Sequence, residues 1–500
     1  MKRICLISLV AATAAVASDE PVNFAEHIAP IMFENCASCH RPGEAAPFSL
    51  TNYESTKRRA RTIQRVVEDR YMPPWQADEG WGNFHGERRL TDEQIALIGK
   101  WVETGTPEGD AAKTPQLPKF PEGWELGEPD IVLEMEEAYE VYAEGKDIYR
   151  YFVLPLGLEE EKWVRAVEVR PSARSVVHHA LFFLDASGQA RKLDGQDGTP
   201  GFNRKGFRPS NSLGGWAVGG STLDLGEGYA KPMPAGSDFV LQTHFHPSGK
   251  VEHEKTKVGL YFADGPPEKK LVEFQVPPTY GAMTGLNIGP GETFEIRDHM
   301  IVPEDMDIIT VWGHAHQTCT SMQAEATLPD GTKQKLMRIG EWDFNWQDQY
   351  LYQEPVRLPK GTRIDTVITY DNTPDNPFNP NHPPRRIYWG EESTDEMGSV
   401  IFQTVAADGS RHSAMQSGLR RQRGASVLRH SKAVKTALRR YFVLQLDTDF
   451  DDRLTFEETP PEHHETFKKL DTDNDKVVTV AEIDAGASIL DVLGRGNRRR

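Results

Sequence analysis

The hydrophobic positions of this chain first follow a helical period and then, from about residue 130, the period of β-strands. Thr91-Asp-Glu-Gln94 matches a helix capping box, and Gly105 stands where that helix is expected to end. Between them, apolar residues recur at helical spacing at Ile95, Ile98, Trp101 and Val102. These signals predict a small all-α domain over 20–112, followed by a Pro-rich linker over 113–129.

The middle of the chain, from about 130 to 405, alternates short β-branched or aromatic runs with Gly/Pro turns. The runs cover 163–169, 176–184, 239–246, 257–262 and 308–312. Strands at this density, without helical periods between them, predict β-sandwich architecture. The length suffices for two all-β, jelly-roll-like sandwich domains over 130–267 and 268–408, with a break near Pro266-Pro267.

The C-terminal part returns to helical and acidic sequence. Residues 411–440 hold nine Lys/Arg and no acid. We interpret 409–431 as a solvated basic linker that leads into a helix, which is more common than a binding patch. Residues 432–493 contain two acidic loops and are predicted to form a helical pair.

Composition limits the location and partners of the protein. Residues 1–17 have the charge, the apolar stretch and the small-residue cleavage site of a secretory signal peptide. No other stretch predicts a transmembrane anchor, so we expect a periplasmic or secreted protein. A chain of 500 residues is too long to fold around a single hydrophobic core, so several domains are expected. The net charge of −18 argues against nucleic acid as a partner.

The N-terminal domain contains Cys36-Ala-Ser-Cys39-His40, the pattern for covalent attachment of haem c. Such attachment needs two thiols on one helical turn and an adjacent His as iron ligand. A redox dithiol or half of a zinc site are the alternatives, although neither a βαβ context nor a second Cys/His pair is visible. Met72 precedes two prolines and is a candidate second iron ligand that would raise the potential, with core filler as its alternative. The region resembles class I cytochrome c domains.

The β-rich region contains imidazoles and one thioether, a combination that suits copper. They are His178, His179, His244, His314, His316 and Met397. Residues i and i+2 of a strand face the same side, so His314 and His316 can bind one metal. The same holds for His244 and His246. His178 and His179 would point to opposite faces of a regular strand, so both can be ligands only if that strand is locally distorted.

Four motifs in this region together resemble the copper type II, ascorbate-dependent monooxygenases, which include peptidylglycine α-hydroxylating monooxygenase and dopamine β-monooxygenase. In chain order they are Val176-Val-His-His-Ala-Leu-Phe-Phe183, Phe239-Val-Leu-Gln-Thr-His244, Gly313-His-Ala-His316 and Thr394-Asp-Glu-Met397. The resemblance implies an electron-storing copper on His178, His179 and His244. It implies an oxygen-activating copper on His314, His316 and Met397. It also implies two β-sandwich domains whose coppers face each other across a solvent-filled cleft.

The same resemblance implies hydroxylation of an aliphatic C–H bond with O₂, at a cost of two electrons per turnover. Trp312 and Ile401 replace an Arg and a Tyr of the peptide-amidating enzyme. Both changes remove polar anchors, so we expect a small neutral or aromatic substrate. The predicted haem leads to the hypothesis that the fused cytochrome relays electrons from a periplasmic or respiratory donor.

Two acidic loops, 24 residues apart, follow the calcium-binding loop of EF-hands. Their predicted ligands are Asp447, Asp449, Asp451 and Glu458 in the first loop and Asp471, Asp473, Asp475 and Glu482 in the second. Leu454 and Val478 occupy the position at which paired loops usually meet. Asp452 and Lys476 stand where a sharp turn favours Gly. We therefore expect weak or structural calcium binding, and we expect the first loop to bind calcium more firmly than the second. The alternative is a solvated acidic run that binds no calcium.

These features predict a secreted copper monooxygenase with two coppers, a built-in haem c and a calcium-binding tail. One alternative is a non-catalytic periplasmic electron-transfer or copper-binding protein, which has no need for two unlike copper sites. Another is a nitrite-reductase-like copper–haem enzyme. That enzyme would need a Cys ligand, for which Cys319 is the candidate.

Overall fold

The structure is a computed structural model that describes residues 21–485, except 43, 45, 122, 204–206, 208–211, 218–221 and 227. The predicted signal peptide and residues 486–493 of the predicted helical pair lie outside the described residues. The chain divides into two compact units. Unit 1 contains the residues up to Pro73 together with Arg88–Phe120, and unit 2 contains Pro74–Glu87 and the residues from Pro121 onward.

Unit 1 is helical and has its own apolar core. Its described residues form a π-helical turn, Phe24–Ile28, and three α-helices, which are α1 (Ala29–Asn35), α2 (Tyr53–Glu68) and α3 (Asp92–Glu103). The predicted capping box at α3 is confirmed, because Thr91 and Gln94 exchange hydrogen bonds between side chain and backbone. Phe24, Met32, Ile98 and Trp101 pack in the core with almost no exposure.

The first half of unit 2 is a pair of four-stranded antiparallel sheets around one apolar core. One sheet has the order β1-β10-β4-β7 and the other β3-β8-β5-β6, while β2 pairs with β9. The strands are β1 (Ile131–Glu134), β2 (Tyr139–Val141), β3 (Ile148–Pro155), β4 (Lys162–Arg170), β5 (Val177–Asp185), β6 (Ser212–Ala217), β7 (Lys231–Met233), β8 (Asp238–Phe245), β9 (Glu252–Glu254) and β10 (Lys257–Phe262). A short helix, α4 (Gln189–Leu193), lies between β5 and β6.

The second half repeats this arrangement around a larger core. Its sheets have the orders β11-β20-β14-β17 and β13-β18-β15-β16, and β12 pairs with β19. The strands are β11 (Val272–Val276), β12 (Asn287–Ile288), β13 (Thr293–Ile301), β14 (Met306–Ala315), β15 (Cys319–Thr327), β16 (Lys333–Ile339), β17 (Tyr350–Leu358), β18 (Arg363–Asp371), β19 (Ile387–Tyr388) and β20 (Gly398–Ala406). The protein is thus mostly β with several helices, in agreement with the sandwich prediction.

The segment Pro74–Glu87, which we call the strap, does not belong to the helical domain in which the sequence placed it. Phe84 forms an isolated β-bridge with Tyr352 and is 2% exposed. Its ring contacts those of Trp75, Tyr350 and Tyr352. The predicted continuous domain over 20–112 is therefore interrupted, because the apolar residues of the strap are buried in the second sandwich.

The basic run is a helix rather than the predicted linker over 409–431. The helix α5 (His412–Arg429) is followed by α6 (Ser431–Leu444). Met415 and Leu419 of α5 join the apolar core of the second sandwich. Asp298 of β13, almost fully buried, accepts hydrogen bonds from Ser426 and Arg429. The helix thus docks on the sandwich through an apolar face and one buried ion pair.

In the described part of the tail beyond α6, two short α-helices and a two-stranded ribbon are joined by a 3-10 turn, Pro461–His463. Its elements are β21 (Arg453–Thr455), α7 (His464–Leu470), β22 (Val477–Thr479) and α8 (Val480–Ala485). Leu454 pairs with Val478 in the ribbon, as the sequence predicted. Among the described residues, no helix has both the length and the apolarity that crossing a bilayer requires.

Candidate metal centres

Three histidines of the first sandwich converge on one point. His178 and His179 lie on β5 and His244 lies on the neighbouring strand β8. The pairing of these strands shifts between Val177 and His179, so the local distortion expected at His178 is present. The Nδ1 atom of His179 lies 3.1 Å from Nδ1 of His178 and 3.4 Å from Nδ1 of His244. We call these residues the three-His group.

Hydrogen bonds on the far side of two of these rings leave Nδ1 free to bind a metal. The Nε2–H of His244 donates to Asp147 Oδ2 over 2.7 Å. The Nε2–H of His178 donates to Asn345 Oδ1 over 3.3 Å. A ring that donates from one nitrogen presents the lone pair of the other. This is the usual support of a metal-binding His.

The three-His group fits a metal ion by distance as well as by chemistry. Metal–imidazole bonds of 2.0–2.1 Å at a tetrahedral angle place two ligand nitrogens about 3.3 Å apart. The observed separations of 3.1 and 3.4 Å bracket that value. Imidazole suits copper, zinc, iron and nickel, so the geometry supports a metal site without selecting the element.

His314, His316 and Met397 form a second group at the end of β14 and the start of β20. Nδ1–H of His314 donates to Gln347 Oε1 over 2.7 Å, and Nδ1–H of His316 donates to the Asp395 carbonyl over 3.2 Å. Both rings therefore present Nε2, the opposite nitrogen from the three-His group. Their centroids are 5.7 Å apart. Met397 is 7% exposed and lines the same cavity as both rings.

The buried carboxylate of Glu396 connects the ends of this second group. It accepts hydrogen bonds from the backbone N–H of His316 (2.6 Å), of Met397 (2.9 Å) and of Thr318 (3.0 Å). The carboxylate thus fixes the backbone of one imidazole relative to that of the thioether. Burial raises the pKa of Glu396 to about 7, and these donors act in the opposite direction.

A cavity of about 650 Å³ opens onto both groups. Its wall includes His179 from the first sandwich and His314, His316 and Met397 from the second. The remaining wall combines aromatic residues, including Tyr149, Phe183, Trp312, Phe344 and Trp389, with polar and acidic residues, including Asp147, Glu273 and Glu392. Trp312 contributes apolar surface to this wall.

Burial favours the neutral form of four imidazoles, those of His178, His179, His314 and His316. It lowers the pKa of His178 and His314 to about 4 and that of His316 to about 3, while the pKa of His179 lies well below its ordinary value. A neutral imidazole is the form that binds metals. These four rings can therefore accept a cation at neutral pH without first losing protons.

His246 and Cys319 lie outside the two groups. The His246 side chain is 70% exposed, and its Nδ1 is 2.8 Å from Asp147 Oδ1. His246 is thus the second partner of the carboxylate that supports His244. Cys319 is a buried free thiol at the start of β15, and burial raises its pKa. Among the described residues, it belongs to none of the clusters of His, Cys and acids that are compatible with a metal.

The box predicted to attach haem folds as one helical turn after α1. Cys36 and Cys39 are free thiols, and the His40 N–H donates to the Cys36 carbonyl over 2.8 Å. The His40 ring donates from Nδ1 to the Phe48 carbonyl over 3.0 Å, which leaves Nε2 for iron. These residues fit a covalently attached haem. Met72 is partly buried at the end of unit 1, where its N–H donates to the Val66 carbonyl.

The two acidic loops bring carboxylates together. Oxygens of Asp447, Asp449 and Glu458 lie within 4.8 Å of one another, and so do oxygens of Asp471, Asp473 and Asp475. Asp451 and Glu482, two further predicted ligands, lie outside these clusters. Glu482 accepts hydrogen bonds from Thr472 and Thr479, as Glu458 does from Thr448 and Thr455 in the first loop. Asp452 and Lys476 have φ of 66° and 69°, the left-handed conformation that the missing glycines would have adopted freely.

Sequence reasoning missed the residues that orient the imidazoles. Asp147, Asn345 and Gln347 are single polar residues outside the four motifs, and nothing in their local sequence marks them. Glu396 lies inside the Thr394–Met397 motif, so its position next to a predicted ligand was the one available signal.

Comparison with known proteins adds no family to this description. No family model matches the chain, and no curated protein matches it. Among solved structures, the infectious bursal disease virus VP2 subviral particle is 9% identical, with a TM-score of 0.16 over 58% of this chain and 74% of that chain. PNGF-II is 9% identical, with a TM-score of 0.23 over 55% of this chain and 65% of that chain. The Sulfolobus turreted icosahedral virus is 10% identical, with a TM-score of 0.23 over 62% and 99%. Likenesses at such TM-scores support no conclusion about fold or function.

Proposed function

We propose that this protein is a copper-dependent monooxygenase that hydroxylates an aliphatic C–H bond of a small neutral or aromatic molecule with O₂. The observation that carries the proposal is the pair of unlike imidazole groups that open on one aromatic cavity. One group presents three Nδ1 atoms, and the other presents two Nε2 atoms beside a thioether. This ligand set is the one that the resemblance assigns to the two coppers.

The chain's own residues have separate roles in this proposal. His178, His179 and His244 would hold the electron-storing copper, and His314, His316 and Met397 the oxygen-activating copper. Copper in these sites supplies one-electron redox chemistry and the activation of O₂. The aromatic wall, with Trp312 in the place of a cationic anchor, orients an apolar substrate and limits the water around the reacting C–H bond.

The supply of electrons is the second part of the proposal. Cys36, Cys39 and His40 would attach haem c, with Met72 as the second iron ligand, and a periplasmic or respiratory donor would reduce it. The haem is expected to reoxidise in the presence of copper and O₂ at a rate that matches turnover, which stopped-flow absorbance measures. Slower reoxidation would remove the relay from the proposal. The acidic loops are proposed to bind calcium as an EF-hand pair.

Metal analysis of the haem-loaded protein tests the central point. We expect two coppers per haem in the full chain and one in Met397→Leu, which removes the thioether at nearly constant volume. Met337→Leu is the matched control, because Met337 is also buried but lies in β16 and does not line the cavity. One copper or none in the wild type, or a preference for zinc, would favour the non-catalytic copper-binding alternative.

Turnover is then tested with ¹⁸O₂ and a panel of neutral and aromatic compounds. One labelled oxygen atom in a hydroxylated product supports a monooxygenase. Two copper ions without product from any compound would support electron transfer alone.

A further inference from the structure

A single loop, Asp343–Gln347, contacts both imidazole groups. It lies between β16 and β17 of the second sandwich. Asn345 accepts a hydrogen bond from His178 of the three-His group, and Gln347 accepts one from His314 of the second group. The loop therefore reaches ligands from both sandwiches within three residues.

The amide groups of this loop are held so that their oxygens face the imidazoles. The Asn345 amide nitrogen donates to Asp343 Oδ1 over 2.8 Å, which leaves its oxygen for His178. The Gln347 amide nitrogen donates to the Phe344 carbonyl over 3.0 Å, which leaves its oxygen for His314. Each oxygen can only accept, so it selects the ring nitrogen that carries hydrogen. The loop thus selects Nε2–H in His178 and Nδ1–H in His314.

Phe344 occupies the space between the two groups. Its ring stacks on His178, with centroids 5.2 Å apart and planes 22° apart. It also meets His316 edge-on, with centroids 6.0 Å apart. A side chain packed against one ring from each group limits the movement of either group relative to the other.

The loop is in turn held by Gln76 of the strap. The Gln76 amide nitrogen donates to the carbonyls of Asp343 (2.8 Å) and Trp346 (2.5 Å), and its oxygen accepts the Asp343 N–H (3.3 Å). One side chain thus bridges both ends of the loop. In the sequence, Gln76 follows the predicted iron ligand Met72 by four residues.

We infer that Gln76 and the Asp343–Gln347 loop form a positioning element that sets the tautomers of His178 and His314 and holds the two imidazole groups in register. The assignment of these histidines as copper ligands rests on the proposed function, whereas the tautomers do not. Asn345, Gln347 and Gln76 are positioning residues, since they act through the imidazoles.

The first test uses the full chain without copper, labelled with ¹⁵N-histidine. The nitrogen shifts are expected to show Nε2–H at His178 and Nδ1–H at His314, assigned through His178→Gln and His314→Gln. Asn345→Leu is expected to let His178 populate the other tautomer while His314 stays unchanged. Gln347→Leu is expected to do the same for His314 while His178 stays unchanged. Asn345→Asp and Gln347→Glu keep an acceptor oxygen and are expected to restore each tautomer. An unchanged tautomer in either Leu variant would overturn the inference.

The second test adds cupric ion as the probe and records EPR spectra and chelator competition for each site. Loss of an outer support typically costs about 10- to 100-fold in metal affinity. Gln76→Leu is expected to weaken both sites and to change both spectra, because it releases the shared loop. Gln353→Leu is the matched control, since Gln353 holds the other end of the strap through the Phe84 carbonyl.

The outcomes separate the two proposals. Unchanged spectra at both sites in Gln76→Leu, or an effect at one site alone, would overturn the role of Gln76 in this element. Correct tautomers in a wild type that binds fewer than two cupric ions would contradict the proposed function and support the positioning element.

Discussion

Asp147 offers the sharpest test of the three-His group, because it supports one ligand from outside the group. Its Oδ2 accepts the Nε2–H of His244 over 2.7 Å, and its Oδ1 lies 2.8 Å from Nδ1 of His246. Burial opposes its ionisation, but the hydrogen bonds from both histidines outweigh burial and lower the pKa of Asp147 to about 2. At neutral pH, a full carboxylate therefore holds His244 so that Nδ1 faces the other two histidines of the three-His group.

We expect Asp147→Ala to weaken copper binding at the three-His group by about 10- to 100-fold, the usual effect of losing an outer-shell carboxylate. That loss corresponds to about 1.4–2.8 kcal/mol of binding free energy. His244 is 1% exposed, so its Nε2–H would be buried without an acceptor and its ring would be free to adopt the wrong tautomer. Asp147→Asn keeps an acceptor oxygen and should lose less affinity than the Ala variant.

Chelator competition with cupric ion measures this effect when the second group is disabled by His314→Ala. His246→Ala is the control, since it removes the exposed partner of Asp147 and leaves the three-His group intact. We expect its copper affinity to stay close to that of the wild type. Equal affinity in Asp147→Ala and the wild type would refute the tautomer argument, and a large loss in His246→Ala would make His246 a ligand.

Three further predictions concern the packing of unit 2. Phe84→Ala should lower the free energy of unfolding of unit 2 by about 3–5 kcal/mol in urea titrations, whereas the exposed Phe378→Ala should change it little; equal effects would contradict the burial of the strap. Burial raises the pKa of Asp298, but hydrogen bonds from His430, Ser426 and Arg429 outweigh burial and lower the pKa below its ordinary value. Its stabilising effect should therefore be present above about pH 4 and be lost as the pH falls further. Urea midpoints at pH 7 and pH 3 should therefore differ less in Asp298→Asn than in the wild type. Asp452→Gly should destabilise the docked tail by about 3 kcal/mol in the same titrations, because it leaves Arg386 buried without its partner; a stabilised tail would show that backbone strain dominates.

The strand positions and the distortion at His178 followed from the sequence, because they depend on local rules. Alternating runs predicted β4, β5, β8 and β10 to within one or two residues. Two adjacent histidines can both face one metal only if the strand is distorted there, and the pairing does shift between Val177 and His179. Such features are readable because the period of a strand fixes the face of every residue.

The strap and the orienting loop could not be predicted in this way. Gln76 and Asp343 are 267 residues apart, and each is an ordinary polar residue in its own segment. Phe84 gives the same apolar signal whether it packs in unit 1 or in unit 2. Only the packed structure decides between them, because the gain from burying a side chain depends on area and not on which domain buries it.

The residue that departs from the calcium-loop motif at Asp452 has a structural reason that the sequence did not reveal. Asp452 replaces a glycine of the predicted calcium loop and accepts a left-handed backbone with φ of 66°. By itself, that replacement suggested only a weaker loop. In the structure, its carboxylate forms two hydrogen bonds, of 2.6 and 2.5 Å, with Arg386, whose side chain is only 7% exposed. A glycine would relieve strain of roughly 1 kcal/mol but would leave the buried guanidinium, which also donates to Asn287, without its charged partner, which costs more. The presence of Asp452 in place of glycine is therefore explained by its ion pair with Arg386. That ion pair joins the tail to the segment before β19, and Arg386 lies outside the loop that defines the motif.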